Sequence, residues 1–168
     1  MTAMETRVDP TPRLLRRGLL GLAALMILGI AIELYTERHW TQPVQYIAWA
    51  ALALTALTIA LLLGQPSARR VRIAQIVAMI VVVSAAVGVW QHVQANYDAG
   101  PLDRRYGQTW EGMSAISRWW LAARKGVGPS PPLAPGALAQ AGLCVLLATV
   151  RHPALRADHA VPIRTMDE

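Results

Sequence analysis

Four blocks of the chain read as almost unbroken apolar sequence, and charged residues and prolines collect between them. The first runs from Arg17 to Tyr35, with a continuous apolar stretch from Gly18 to Ile32 and one carboxylate, Glu33, near its far end. The second, Val44 to Leu63, is interrupted only by Gln45, Tyr46, Thr55 and Thr58. The third, Ile73 to Trp90, follows the basic cluster Arg69, Arg70 and Arg72. The fourth, Leu133 to Val150, starts from a proline-rich stretch and ends in Arg151, His152 and Pro153. A bilayer core about 30 Å thick, crossed at about 1.5 Å per residue, needs about 17 to 25 mostly apolar residues. All four blocks are therefore expected to span a membrane. None alternates polar and apolar residues as a barrel strand would, and a helix satisfies its own backbone groups where water is absent. The expected fold class is all-α, an integral membrane four-helix bundle forming one domain over residues 1–168.

The breaks agree with this division. Pro43, Pro66, Pro129, Pro131 and Pro132 fall between spans, and Pro135 and Gly136 fall in the first turn of the fourth, where the missing proline donor costs little. The third connection, residues 91–132, is longer than a simple link between helices needs. Within it, Thr109 is a candidate cap, and Trp110, Met113, Ile116 and Trp120 fall at helical spacing before Arg124 and Lys125. This pattern predicts an amphipathic helix from about Thr109 to Lys125, lying along the membrane surface or packed over the bundle mouth. Trp40, Trp90, Trp110, Trp119 and Trp120, with Tyr35 and Tyr97, are expected as interfacial anchors on the same side, since tryptophan favours the headgroup level.

Charge adds a direction. The chain carries 16 Lys and Arg against 10 Asp and Glu, a formal charge of +6. In a polytopic protein such an excess sets orientation, so no nucleic-acid partner is inferred. Ten of the 16 basic residues lie in the amino-terminal tail (Arg7, Arg13, Arg16, Arg17), the second connection (Arg69, Arg70, Arg72) and the carboxyl tail (Arg151, Arg156, Arg164). The expectation is that both termini are cytoplasmic and that residues 36–42 and 91–132 lie outside. One lysine and no phenylalanine suggest a GC-rich bacterial coding sequence, and hence a bacterial inner membrane. The arginines ahead of the first apolar block, with Gly29 and Ala31 as small residues, also fit a signal peptide, whose removal would leave the other spans oriented as before. The lone Cys144 excludes an intramolecular disulfide and dithiol redox chemistry, and is expected to pack as a small hydrophobe.

The candidate chemistry gathers at the outer boundary. Glu33 and Glu37, four residues apart, stack on one helical face with His39 and Trp40 just beyond. His92 and Asn96 share that spacing at the exit of the third span, followed by Tyr97 and Asp98. Glu33, Glu37, His39, His92, Asn96 and Asp98 could together ligate a divalent metal or bind a polar headgroup. In the structural alternative, Glu33 and Glu37 pair with Arg38, Arg104 or Arg105, and His92 is a satisfied interface residue. HExxH and ExxH patterns are missing, and so are intramembrane histidines for haem, phosphate loops, serine-nucleophile motifs and internal repeats. Gln45, Gln75 and Gln140 are expected to tie helices together, and Ala53, Ala56 and Ala60, with Gly18 and Gly21, to allow close helix approach.

The segment PPLAPGALAQAGLCVLLATVRHPAL, Pro131 to Leu155, resembles the end of an uncharacterised family of small four-helix bacterial integral membrane proteins. That family's glutamate and His-Trp pair after the first helix, and its histidine, asparagine and acidic residue after the third, match Glu33, His39, Trp40, His92, Asn96 and Asp98; NYDAGPLD departs from its more acidic run. The resemblance implies the fold and location and brings no activity with it. The first functional expectation is a non-enzymatic membrane protein whose outer polar and aromatic face binds an ion, a lipid headgroup or a protein partner, including a second copy. The alternatives are a membrane enzyme or redox accessory using the outer carboxylates and His92, and a subunit of an oligomeric transporter.

Overall fold

The computed structural model describes residues 11–157; Arg7 and Arg164, counted above in the tails, lie outside the described residues. Those residues form six α-helices joined by turns: α1 (Thr11–Thr36), α2 (Tyr46–Leu62), α3 (Ala68–Ala99), α4 (Ala115–Ala123), α5 (Ala134–Thr149) and α6 (Pro153–Ala157). Single 3₁₀ turns stand at Pro43–Gln45, Gly100–Leu102 and Trp110–Gly112. The all-α expectation holds among the described residues.

Among the described residues, three helical stretches are long and apolar enough to cross a membrane: Thr11–Thr36, Pro43–Leu62 and Ala68–Leu102. The fourth expected span is shorter than the sequence suggested. α5 has 16 residues, and at about 1.5 Å each it is about 24 Å long, against a hydrocarbon core of about 30 Å. Both ends explain the loss. Pro131 and Pro132 disfavour the helical conformation in the residues before them, while Val150 leaves the helix at ψ 127° and Arg151 turns to φ 49° before Pro153 begins α6. α3 exceeds its expected length instead. Its 32 residues extend nine beyond Trp90, with Ser67 Oγ capping the start by accepting from the Arg70 amide.

α5 packs against α3 and α1, and α2 packs against the same two helices. One stripe of α3 organises this arrangement. Val71, Ala74, Ala78, Val81 and Ala85 recur every three or four residues and are all buried, the spacing that keeps one helical face against a neighbour. α5 runs antiparallel along it. Gln75 Nε2 donates to Thr149 Oγ1 at 3.2 Å, and a Cβ on Gly142 would stand 2.9 Å from Val82 Cγ2 and 3.2 Å from the Ala78 carbonyl oxygen. Farther along, a Cβ on Gly88 would stand 3.0 Å from Pro135 Cβ, closer than ordinary van der Waals contact. Small residues at these crossings let the two backbones approach.

The small residues singled out in the sequence lie elsewhere. Ala53, Ala56 and Ala60 are exposed, as are Gly18 and Gly21, and the buried face of α2 is Ala51, Leu52, Thr55, Thr58, Ile59 and Leu62. Thr55 and Thr58 are accommodated there because their hydroxyls donate to the carbonyls of Ala51 and Leu54. Of the three glutamines, Gln75 is a tie between helices. Gln45 accepts from the Gln42 amide and the Thr41 hydroxyl to build the turn ahead of α2. Gln140 is exposed beside the half-buried Cys144, along an open apolar groove between α1 and α5.

The connection after α3 folds into a cap with its own core. Trp110, Leu121, Ala122 and Val127 are buried together, covered by Val93, Tyr97, Tyr106 and Met113. The expected continuous helix from Thr109 to Lys125 is broken into two pieces. Trp110–Gly112 is a 3₁₀ turn, Met113 is extended at ψ 148°, and α4 starts only after Ser114, whose hydroxyl accepts from the Ser117 amide. Trp110 is therefore a buried core residue at 1% exposure, not an interfacial anchor, and its indole lies where a Cβ on Gly100 would be. Ile116 and Trp120, four residues apart on α4, keep the exposed apolar face the sequence predicted.

Candidate ligand site at the capped end

The antiparallel order brings the end of α1, the start of α2, the far part of α3 and the start of α5 to one end of the assembly. α1 stops in a reversal that seats His39. Arg38 adopts φ 49°, and the His39 amide returns to the Leu34 carbonyl at 2.8 Å, the helix-ending bond of a left-handed cap. Trp49 of α2 then donates its indole N–H to the His39 carbonyl at 2.8 Å. Across from it stands His92 of α3, the two ring centroids 6.4 Å apart with planes at 50°.

His92 is oriented by the chain that feeds α5. Its Nδ1 lies 2.8 Å from the Pro131 carbonyl oxygen. A carbonyl can only accept, so Nδ1 carries the proton and the neutral ring keeps its lone pair on Nε2. One turn farther on, Asn96 is fully buried and spends its amide on structure. Nδ2 donates to the carbonyls of Ala122 at 3.1 Å and Ser130 at 2.7 Å, and Oδ1 accepts from the Ser130 amide at 2.9 Å. The chain passes so close that Gly128, at φ 76°, has no room for a Cβ, which would stand 2.4 Å from Asn96 Oδ1. His92 and Asn96 thus continue the α5-facing stripe of α3.

Of the six candidate residues, His39 and His92 are brought together, with Glu33 and Glu37 close enough to act electrostatically on His39. Burial and the nearby His92 hold the His39 imidazole below its ordinary range, while Glu33 and Glu37 pull in the other direction. Asn96 is removed from any ligand set by its buried clamp. Asp98 is turned to Gln94 on its own helix, accepting from Nε2 at 2.9 Å. Neither Glu33 nor Glu37 forms an ion pair among the described residues; Arg105 instead lies 3.6 Å from Asp103 and donates to the Gly126 carbonyl. No group of three or more His, Cys, Asp or Glu side chains suited to a metal ion occurs among the described residues.

Aromatic rings gather at the same end of the assembly. Trp40 contacts Tyr35 and Trp49, with centroids 5.5 and 6.4 Å away. Between α3 and α4, Trp119 stacks between Trp90, at 5.2 Å, and Tyr97, at 4.3 Å. The sequence reading missed two contributors, Trp49 and the Pro131 carbonyl. Trp49 was traceable, since a half-buried indole N–H needs an acceptor and a helix end supplies free carbonyls. The Pro131 carbonyl acts through main chain, which residue types do not reveal.

Comparison of the chain with known protein families, with characterised proteins and with solved structures finds no match to any of them.

Proposed function

We propose that the chain is a non-enzymatic, polytopic membrane protein of the bacterial inner membrane, with α1, α2, α3 and α5 as a four-helix bundle and both termini in the cytoplasm. Its working surface is the capped end, which faces outward and binds an ion, a lipid headgroup or a protein partner. One observation carries this reading: where the apolar parts of α1 and α3 end, two imidazoles stand with ring centroids 6.4 Å apart, two carboxylates act on one of them, and aromatic rings gather at the same end. Polar groups at that depth are costly unless they have a task or a partner.

The length of α5 fits the bundle. Its proline-rich approach is bonded to α3 through His92 and Asn96, and non-helical backbone is tolerated at membrane depth where protein buries it. The arginine-bearing segments at 13–17, 69–72 and 151–156 all fall at the opposite end, the distribution expected of a cytoplasmic side. Ile116, Trp120 and Trp90 are exposed near the level where α3's apolar run stops, so α4 lies along the headgroup region.

Cysteines at Ala95 and Gln65 in a Cys144→Ala background test the topology. Ala95→Cys should react with an impermeant thiol reagent in intact cells and Gln65→Cys only after lysis. The reverse pattern would invert the orientation. For the working surface, native mass spectrometry of wild-type protein should retain a bound ion, lipid or protein that the His39→Gln, His92→Gln double variant loses.

A further inference from the structure

Resting on the membrane reading above, we propose that the uncapped end holds one anionic phospholipid of the adjoining leaflet, with its phosphate on Arg16 beside Arg151 and His152 and one acyl chain in the groove between α1 and α5. This second site makes no use of the histidine pair at the capped end.

The charges of the molecule are sorted by end. Among the described residues, the carboxylates Glu33, Glu37, Asp98, Asp103 and Glu111 all stand at the capped end, while the arginines at 13–17, 69–72 and 151–156 stand at the other. There α1 and α5 are tied at one level, because Arg16 Nη2 donates to the Arg151 carbonyl at 3.2 Å. At this same level charged sequence gives way to apolar sequence, at Gly18 on α1 and, from the other direction, at Val150 on α5. In a bilayer that boundary borders the headgroup region, and basic pockets between spanning helices on the cytoplasmic side are suited to anionic headgroups. Burial and then the Arg16 guanidinium hold the half-buried His152 imidazole below its ordinary range, so these groups lie within electrostatic reach of one another, with no described carboxylate at that end to balance them. A phosphate supplies the missing charge. A guanidinium has five donors, and after its bond to Arg151 the Arg16 head retains the fork that grips phosphate oxygens in pairs.

The groove begins just inward of this level. Leu147 stands four residues before Arg151 and Leu22 six after Arg16, about 6 and 9 Å along their helix axes. From Leu147 the lining continues through Leu143, Cys144 and Met26 to Gln140, about 10 Å farther from the boundary. A volume of about 410 Å³ over that length is on the order of 7 Å across. A helix with its side chains needs about 10–12 Å, whereas a hydrocarbon chain fits, with its ester end toward Arg16. Shape thus selects an acyl chain over a helix of a second copy, and charge selects an anionic lipid over a zwitterionic one.

The test uses the full chain, purified in detergent, stripped of lipid and titrated with phosphatidylglycerol, phosphatidylcholine or inorganic phosphate. Native mass spectrometry should show one phosphatidylglycerol per chain, held in preference to phosphatidylcholine. Arg16→Gln should weaken it by at least about tenfold, the loss of a charge-assisted hydrogen bond, and Arg16→Lys should restore most of the binding. Leu143→Trp, which fills the groove from its open side, should exclude the lipid; circular dichroism verifies that each variant keeps its fold. Alkylation of Cys144 by N-ethylmaleimide reads the groove directly, and should slow with phosphatidylglycerol but not with inorganic phosphate. Arg124→Gln and the His39→Gln, His92→Gln double variant, both at the capped end, should bind as wild type does. No lipid held, equal binding of the two lipids, protection of Cys144 by phosphate alone, or binding that survives both Arg16→Gln and Leu143→Trp overturns the proposal. A lipid-free dimer with Cys144 shielded overturns it too, because a second copy would then fill the groove. Should any of these appear in protein that stays in vesicles through an alkaline carbonate wash, only the lipid site falls; a chain that the wash removes takes the membrane reading down with it.

Discussion

Buried clusters lie along α3 among the described residues, and those at its two ends are built on different terms. Along the first part of α3 the partners are small: Ala74 and Ala78 meet Ala141, Val145 and Ala148 of α5, and large side chains such as Leu25, Ile76 and Leu147 point outward. Around the last part of α3 the pattern turns inside out. Trp110, with Tyr97, Tyr106 and Met113 around it, fills the middle, and the exposed positions include Gln108, Glu111, Arg124 and Lys125. The cap buries aromatic surface from water, as a soluble domain does. On the membrane reading proposed above, the helices gain little from hiding apolar groups, because lipid is as apolar as leucine, and close backbone approach does the holding.

The contrast sets an order of sensitivity. Trp110→Ala should cost the cap about 3–5 kcal/mol and speed hydrogen exchange across residues 100–130, leaving α1, α2 and the first half of α3 protected. Gly100→Ala should act similarly, since its Cβ would collide with the same indole. Loss of protection throughout the chain would show that these two clusters are one.

Asn96→Ala should come next. It strands the Ala122 and Ser130 carbonyls and the Ser130 amide, and leaving such buried groups unpaired costs about 1–3 kcal/mol. Proteolysis between α4 and α5 is the readout, and it should rise. Gly142→Val forces the α3–α5 crossing apart at an overpacking cost of about 1–3 kcal/mol, whereas Ala53→Val, on the exposed face of α2, should stay within about 0.5 kcal/mol. Equal effects of these two on thermal unfolding in detergent would mean that α2's outer face is buried by another chain.

The smallest expected effect is a pH slope at the uncapped end. Burial and the Arg16 guanidinium push the His152 imidazole below its ordinary 6.5, so the unfolded chain binds this proton more readily than the folded one. Stability is then full above about pH 6.5 and declines as pH falls through that value, levelling off below the folded-state pKa. His152→Gln should flatten part of the slope in thermal melts between pH 7 and 5. His39 is shifted in the same direction, so some slope should remain.

Much of the architecture was legible in residue order alone. Runs of apolar residues long enough for a bilayer mark α1, α2 and α3, because length and hydropathy are additive properties that no neighbour needs to supply. The position of α5 was legible for the same reason, and its length was not, since prolines and a left-handed Arg151 trimmed both ends. The Thr109–Lys125 pattern misled because its periodicity is genuine while Trp110 is captured by Gly100 and Tyr97, a contact that competes with helix continuation.

The candidate site divides the same way. Sequence by itself determined that Glu33, Glu37, His39, His92, Asn96 and Asp98 cluster near the ends of two helices, since spacing along a helix fixes depth. Only the tertiary structure decided their roles. Asn96 became a clamp because the chain at Gly128–Ser130 crosses over it, Asp98 turned to Gln94, and His39 met His92 because Arg38 reversed the chain and Trp49 held the turn. Depth is a one-dimensional quantity that a sequence carries. Which side chains face one another across two helices depends on rotation and crossing, and small residues such as Gly88 and Gly142 set those through contacts distant in the chain.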